Sequence, residues 1–441
     1  MEIGIIGAGM TGLTAAYFLS EHGHQVTIYE HAPFIGGHAS TFDLNGAQLE
    51  RGYHHIFTSD EDILDLIQII GIPDGMRWIK STVGIYAQSK IYALNTPFDL
   101  LKLRPLTILN RIRLGIVLFY IQRQKKWMKY EKISAAEWLN KYLGSQAYKV
   151  LWEPLLIGKF GENLYKNVPM AWIWGKLNTR VKSRNKGTNS ELLGYPVGSF
   201  NNILTVLNDK LINNGVKILI NTSVTSISND ENGTIISTNS AGSKPKRFDK
   251  ILSTVSNDIF EKLIPELHKF PNYISKLRAV NYLSAVVLIL ELENSLSEFY
   301  WMNIAEPTFP FLGIIEHTNL IPNSEYQGSH IIYITNYVGT ETDIYQMTER
   351  NLIETYKPYL NKINPSFNDS WIKNSFHFKI NKAQPVMSLD YSKKMPPHDT
   401  PIKNVYLANT SQIYPEDRGT NYSVRMGKYM ASTIMEDELD K

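Results

Sequence analysis

Glu2-Ile3-Gly4-Ile5-Ile6-Gly7-Ala8-Gly9-Met10-Thr11-Gly12-Leu13 decides the fold. Glu2 to Ile6 is a short, apolar, β-branched run, a glycine turn follows at once, and Leu13 to His22 carries a helical pattern. Strand, glycine turn and helix in that order form the βαβ unit that grips a dinucleotide. Gly7 allows the tight turn, Gly9 lets a pyrophosphate approach the backbone, and Gly12 lets helix and strand pack closely. Met10 and Thr11 stand where a helix N-terminus offers unpaired N–H groups and partial positive charge to phosphates. A second apolar strand, Gln25 to Tyr29, ends in Glu30. A carboxylate at that point accepts hydrogen bonds from an adenosine ribose and repels a 2′-phosphate.

The rest of the chain narrows the chemistry. Its 441 residues suffice for two domains, or for one domain with a large insertion. A composition of 43% hydrophobic and 20% charged residues is that of a globular protein, and a net charge of +3 gives no ground for a nucleic-acid partner. There is no cysteine, which removes disulfides, thiolate metal sites and thiol redox chemistry together. Any redox chemistry must therefore belong to a bound cofactor. The eleven histidines form no ligand pattern beyond the adjacent pair His54-His55, so no metal site is expected. The N-terminus shows no signal-peptide pattern and no run of about 18 apolar residues occurs, which leads to an expected cytoplasmic location.

The continuation separates one dinucleotide from another. Ile35-Gly36-Gly37-His38 follows Glu30 closely, and Glu50-Arg51-Gly52-Tyr53-His54-His55 comes after a further strand, Thr41 to Leu44. This pattern resembles the flavin amine oxidoreductase superfamily, which includes amine oxidases, protoporphyrinogen oxidase, phytoene desaturases and, more distantly, UDP-galactopyranose mutase. The resemblance implies FAD as cofactor, on a Rossmann-like α/β domain joined to a mixed-sheet substrate domain. An arginine or lysine commonly follows Gly-Gly in that superfamily and meets the pyrophosphate; His38 stands there in this chain. Tyr53 and His54 belong to the same expected set. The resemblance also carries Val224 to the adenine, Thr254 and Val255 to the adenosine side, and Asn409 to a position usually held by aspartate. Asp417, Arg418, Gly419, Thr420 and Asn421, before a C-terminal helix from Tyr422 to Met435, are expected to face the flavin.

Between these matches, Asp60 to Ile70 reads as a helix stopped by Gly71 and Pro73. Pro97 to Lys182 is overwhelmingly helical, with Ser134-Ala135-Ala136-Glu137 as a capping box. Leu193 to Phe200 reads as a Gly/Pro turn before the amphipathic helix Asn201 to Asn213, and β-rich runs alternate with a helix at Thr348 to Ile363. The expected division is a discontinuous FAD-binding domain, 1–95, 191–265 and 396–441, with a helical insertion at 96–190 and a mixed-sheet substrate domain at 266–395.

The resemblance implies hydride transfer from a small, hydrophobic, isoprenoid- or porphyrin-like substrate to the flavin, as an oxidase or desaturase, with oxygen or quinone as external acceptor. No second glycine fingerprint followed by an acidic strand end is present, which disfavours a built-in pyridine-nucleotide site. Candidate pocket residues are His55, Lys159, Trp301, His317 and Tyr337. The alternative is a sugar-nucleotide mutase with no net redox change, in which Arg180, Lys182, Arg184 and Arg418 bind a pyrophosphate. Leu114 to Ile121, set among Lys102, Arg104, Arg111, Arg113, Arg123, Lys125, Lys126 and Lys129, has the make-up either of a core helix with a solvated basic end or of a peripheral membrane contact through 101–129.

Overall fold

The computed structural model describes residues 1–72, 75–183, 191–231, 233–242 and 244–439; Pro73 and Arg184, both singled out above, lie outside them. A five-stranded parallel sheet runs in the order Lys217–Leu219, Gln25–Tyr29, Glu2–Ile6, Lys250–Ser253, Val405–Leu407. Its strands thus come from the beginning, middle and end of the chain. Strand periodicity divides the faces: Ile3 and Ile5 pack with the helices Met10–Glu21, Ser199–Asn213 and Thr420–Leu439. Ile6, Ile251 and Val405 pack instead under an antiparallel meander, Val224–Asp230, Gly233–Thr238 and Lys246–Phe248. Parallel strands covered on both faces are the expected outcome of such apolar runs.

A seven-stranded mixed sheet forms the second layer, in the order Ile372–Val386, Asn281–Leu292, His330–Val338, Gly313–Glu316, Trp301–Ile304, Val83–Ala87, Lys90–Ala93. Val286, Leu288 and Leu290 pack against Leu352, Tyr356 and Leu360 of the helix Glu349–Ile363. The alternate residues Ala285, Val287 and Ile289, with Tyr333 and Tyr337, join the core shared with the parallel sheet. Period-two alternation therefore aims two tyrosines toward the cofactor layer.

Helices between Pro97 and Lys182 surround a third core that includes Trp138, Phe160 and Trp172. Trp172 is 0% exposed, and burial of a side chain of this size stabilises by about 2–3 kcal/mol. Among the described residues no helix is long and apolar enough to cross a membrane.

Three local differences from the sequence reading have physical causes. The first helix begins at Met10, not Leu13, because Gly12 packs tightly in its first turn. Leu192–Pro196 is a strand rather than a turn, paired between Ile56–Phe57 and Met76–Lys80. Gly194 serves packing there, since a Cβ would come within 2.8 Å of the Trp78 ring. The hairpin Val83–Ala87 and Lys90–Ala93, expected in the first nucleotide-binding segment, pairs in parallel with Trp301–Ile304 and so extends the larger sheet.

Candidate active site

The carboxyl ends of the parallel strands share one edge, where open α/β sheets place their ligands. Gly7 follows the first strand at φ +104°, and a Cβ there would lie 2.3 Å from Thr254 Oγ1. Thr254 donates to Ile6 O at 2.9 Å, tying two strand ends together. A Cβ on Gly12 would lie 2.1 Å from Gly7 O, so only glycine lets the helix sit on the loop. Gly9 differs: the nearest atom to its Cβ is Gly37 Cα at 4.0 Å, which leaves a cradle that a side chain would fill. The helix above it starts without a side-chain cap, so its first N–H groups remain for a ligand.

Gly36, at φ +100°, joins the second glycine turn to the first by donating its N–H to Ala8 O at 2.8 Å. Glu30 accepts Ala8 N–H and Ala32 N–H, both at 2.8 Å, one at each carboxylate oxygen. Oε1 also lies 3.1 Å from His31 Nδ1, so Oε2 is the oxygen that keeps a lone pair for a ribose hydroxyl. Thr222 N–H donates to Glu30 O, which sets the start of the Val224 strand beside that carboxylate. Arg51 stacks over Phe34 at 4.3 Å, and its Nε is buried without a partner. An unspent buried donor, an uncapped helix start and an open glycine cradle fit the pyrophosphate half of FAD.

The second half of the site is a cluster of charged and aromatic side chains between the layers, called the chamber below. Lys159 ends the helix Glu153–Phe160, which presses on the larger sheet because Gly158 has no Cβ; one there would lie 2.4 Å from Leu312 Cδ1. Gly175 does the same for the helix Met170–Lys182, where a Cβ would lie 2.5 Å from Pro415 O. Two close approaches thus deliver two lysines to one carboxylate: Asp417 Oδ2 lies 2.6 Å from Lys159 Nζ and 3.6 Å from Lys176 Nζ. The next residue, Arg418, donates to Tyr337 OH at 2.7 Å and to Gln384 Oε1 at 3.1 Å. Tyr337 and Tyr53 share a hydroxyl contact of 3.4 Å. Tyr53 stands edge-on to Trp301, with ring centroids 5.0 Å apart. The Arg180 guanidinium lies over the Trp301 ring at 5.9 Å, and His55 Nδ1 is 3.0 Å from Tyr300 OH.

The local field is positive. Burial would raise the Asp417 carboxyl pKa, but Lys159, Lys176 and Arg418 outweigh it and hold it well below the usual carboxylate range. Burial and then the Lys159 charge lower Lys176 to about 7. His38 falls to about 3 through burial and then Arg418, His54 to about 4 chiefly through burial, and His55 to about 3 through burial and then Arg180. All three imidazoles are neutral at neutral pH. The charge that His38 lacks therefore stands beside it, on Arg418.

The other expected residues occupy distinct places. His317 is buried one layer back, hydrogen-bonded to Tyr326 OH at 2.8 Å and ringed by Tyr195 and Tyr333. Asn409 donates to Val255 O at 2.7 Å and to Asn257 Oδ1 at 3.0 Å while accepting Ser411 N–H. An aspartate could not make those two donations. Asn421 accepts Ile63 N–H at 3.0 Å and so locks the last helix to Glu61–Ile69, while Gly419 and Thr420 open that last helix. Lys182 is exposed. Sequence reasoning missed Lys176 and Arg51. The spacing Trp172, Lys176, Arg180 marks one helix face and carried the first signal; the quoted Glu50-Arg51-Gly52 carried the second. Among the described residues no group of three or more His, Asp or Glu is arranged to hold a metal.

Comparisons with known proteins agree with this geometry. A Staphylococcus aureus coproporphyrinogen III oxidase is 27% identical over 261 residues, 51% of this chain and 54% of that protein. A Synechococcus elongatus protein assigned as a zeta-carotene desaturase is 27% identical over 178 residues, 35% of this chain and 37% of that protein. The matches thus span between about a third and a half of those curated relatives. The crystal structure of an Exiguobacterium protein assigned as a protoporphyrinogen oxidase superposes with a TM-score of 0.78 at 17% identity, covering 100% of this chain and 99% of that one. The model of the family described as flavin containing amine oxidoreductase matches residues 10–416. The chain belongs to the flavin-containing amine oxidoreductases, and its cofactor is FAD.

Proposed function

We propose that this enzyme oxidises a small, largely hydrophobic substrate, isoprenoid- or porphyrin-like, in the chamber bounded by Tyr53, His55, Lys159, Trp301 and Tyr337. The observation that carries this reading is the meeting, in one chamber, of residues beside the flavin-facing loop, Asp417 and Arg418, with an aromatic wall from the larger sheet. FAD, when bound, supplies a hydride acceptor at N5, and an external acceptor, oxygen or quinone, receives the electrons afterwards.

In this reading Gly7, Gly9, Met10, Thr11, Gly12, Glu30, Gly36 and Gly37 hold the adenosine diphosphate half, with Val224 and Thr254 alongside. His38, Tyr53, His54, Asp417, Arg418, Gly419 and Thr420 surround the flavin half. Asn409 and Asn421 act on the same site by fixing the loop and helix that carry Asp417 and Arg418. Trp301, Tyr53 and Tyr337 exclude water from the reacting carbon. The cofactor domain is assembled from 1–95, less the hairpin Val83–Ala87 and Lys90–Ala93 that joins the larger sheet, with 191–265 and 396–441; 96–190 is the cap and 266–395 the substrate domain.

The cap also offers a route for a hydrophobic substrate. Ile108, Leu109, Ile112, Ile116 and Phe119 are exposed along the helix Ile108–Gln122, Leu109 by 79%, beside Lys102, Arg104, Lys125 and Lys126. An apolar stripe flanked by cations suits peripheral contact with an anionic, cytoplasmic membrane face. The second reading, a sugar-nucleotide mutase, draws on Arg180 and Arg418 reaching the same chamber.

Anaerobic mixing of the holoenzyme with candidate substrates tests the redox reading. Bleaching of the flavin's visible band, slowed by deuterium at the reacting carbon, is the expected result. Turnover of a sugar nucleotide by pre-reduced enzyme without acceptor consumption would replace oxidation with the mutase reading.

A further inference from the structure

The chamber holds more positive charge than its own residues neutralise. Lys159 and Lys176 pair with Asp417, the guanidinium of the next residue, Arg418, lies on Tyr337 and Gln384, and Arg180 lies one helical turn beyond Lys176 on the same face. Among the described residues, Asp417 is the one carboxylate ion-paired to any of these four cations. The buried carboxylate of Glu50 is already committed to Tyr195 OH and Phe200 N–H. Lys159 is 7% exposed and the Lys176 side chain 25%, so water offsets only part of the surplus. Unmatched buried charge is costly unless a partner arrives.

We infer that the substrate carries an anionic head group, a carboxylate or a phosphate, which docks among Lys159, Lys176 and Arg180. The inference rests on the placement of the substrate in this chamber and adds its chemical class. An ammonium substrate would bring a fifth cation into the cluster, and a pure hydrocarbon would leave the surplus unmatched. Carboxylates and phosphates are met by two lysines as point charges and by the forked donors of a guanidinium. The neighbouring groups have already responded to the surplus: Lys176 and His55 are both lowered, after burial, by the cations beside them. The aromatic rings of Trp301 and Tyr53 stand beside Arg180, so an apolar body attached to the head also has a surface to lie on.

Three probes with one chain and different heads test this: decanoate, decyl phosphate and decanol, each titrated below its aggregation concentration into the holoenzyme. Binding is read by the flavin absorption and, independently, by tryptophan fluorescence. The expected result is saturable binding of one or both anions and binding of decanol weaker by roughly tenfold or more. Saturation by the phosphate alone or by the carboxylate alone supports the inference and names the head. Lys176→Met with Arg180→Met should weaken the anions by roughly tenfold while leaving decanol binding and FAD content in place, and Lys176→Arg should restore most of the affinity. Equal affinity for all three probes, or anion binding untouched by the double substitution, would overturn it. Purified protein without FAD would instead sink the redox reading, and the tryptophan signal would still decide the question of charge.

Discussion

The glycine cradle and the charged chamber are built by opposite strategies. The cradle is local: Gly7, Gly9 and Gly12 lie within one strand–turn–helix, and each glycine has its own steric reason. The chamber is assembled from afar, by Gly158 and Gly175 allowing two helices to reach Leu312 and Pro415. In the proposed reading, contiguous geometry holds the dinucleotide. In the same reading, long-range packing holds the substrate. A fold can keep the first while retuning the second.

Substitutions can break this comparison at several strengths. Gly12→Val should be the most damaging, because its side chain meets Gly7 O inside the fold. A loss of about 3 kcal/mol or more, seen as a lowered midpoint of denaturation, is expected. Asp417→Asn leaves Lys159 nearly buried without its counter-charge and should cost about 3 kcal/mol, measured in the same way. A cost below about 0.5 kcal/mol would show that the chamber is not held by that pair.

A finer probe is the pH dependence of stability. Lys176 is lowered in the folded state from 10.5 to about 7, so between those values the unfolded chain binds the additional proton. Stability contributed by this group therefore rises with pH through that window. Lys176→Met should flatten the rise, as followed by thermal denaturation across the range. The smallest effect concerns the cap: Ile116→Ser with Phe119→Ser should weaken sedimentation with anionic liposomes by roughly tenfold, without changing FAD content. Unchanged sedimentation would remove the membrane from the account.

The same contrast explains what could be read from sequence. The first strand, the glycine turn and Glu30 were legible because their spacing is local and each residue type has one strong backbone or charge requirement. Leu192–Pro196 was misread because Gly194 and Pro196 signal turns, whereas Gly194 is there for the Trp78 ring. The fifteen-residue strand Ile372–Val386 was not singled out, although Phe376, Phe378 and Ile380 hint at alternation amid polar residues. Lys176 stood in a visible helical stripe, but its partner Asp417 lies far along the chain, and nothing local announces their meeting. The departure at Asn409 was visible, while its cause, two donations to buried acceptors, needed three dimensions.

The central claim is that the N-terminal glycine cradle holds FAD, and Gly9→Val tests it most directly. The protein leaves room for that side chain, with Gly37 Cα 4.0 Å from its Cβ, so the variant should fold with an unchanged circular dichroism spectrum. The measurement is the FAD released on denaturation per mole of protein, identified by mass, for wild type and variant. The account predicts stoichiometric FAD in the wild type and nearly none in the folded variant. A folded variant that keeps its full FAD would contradict it.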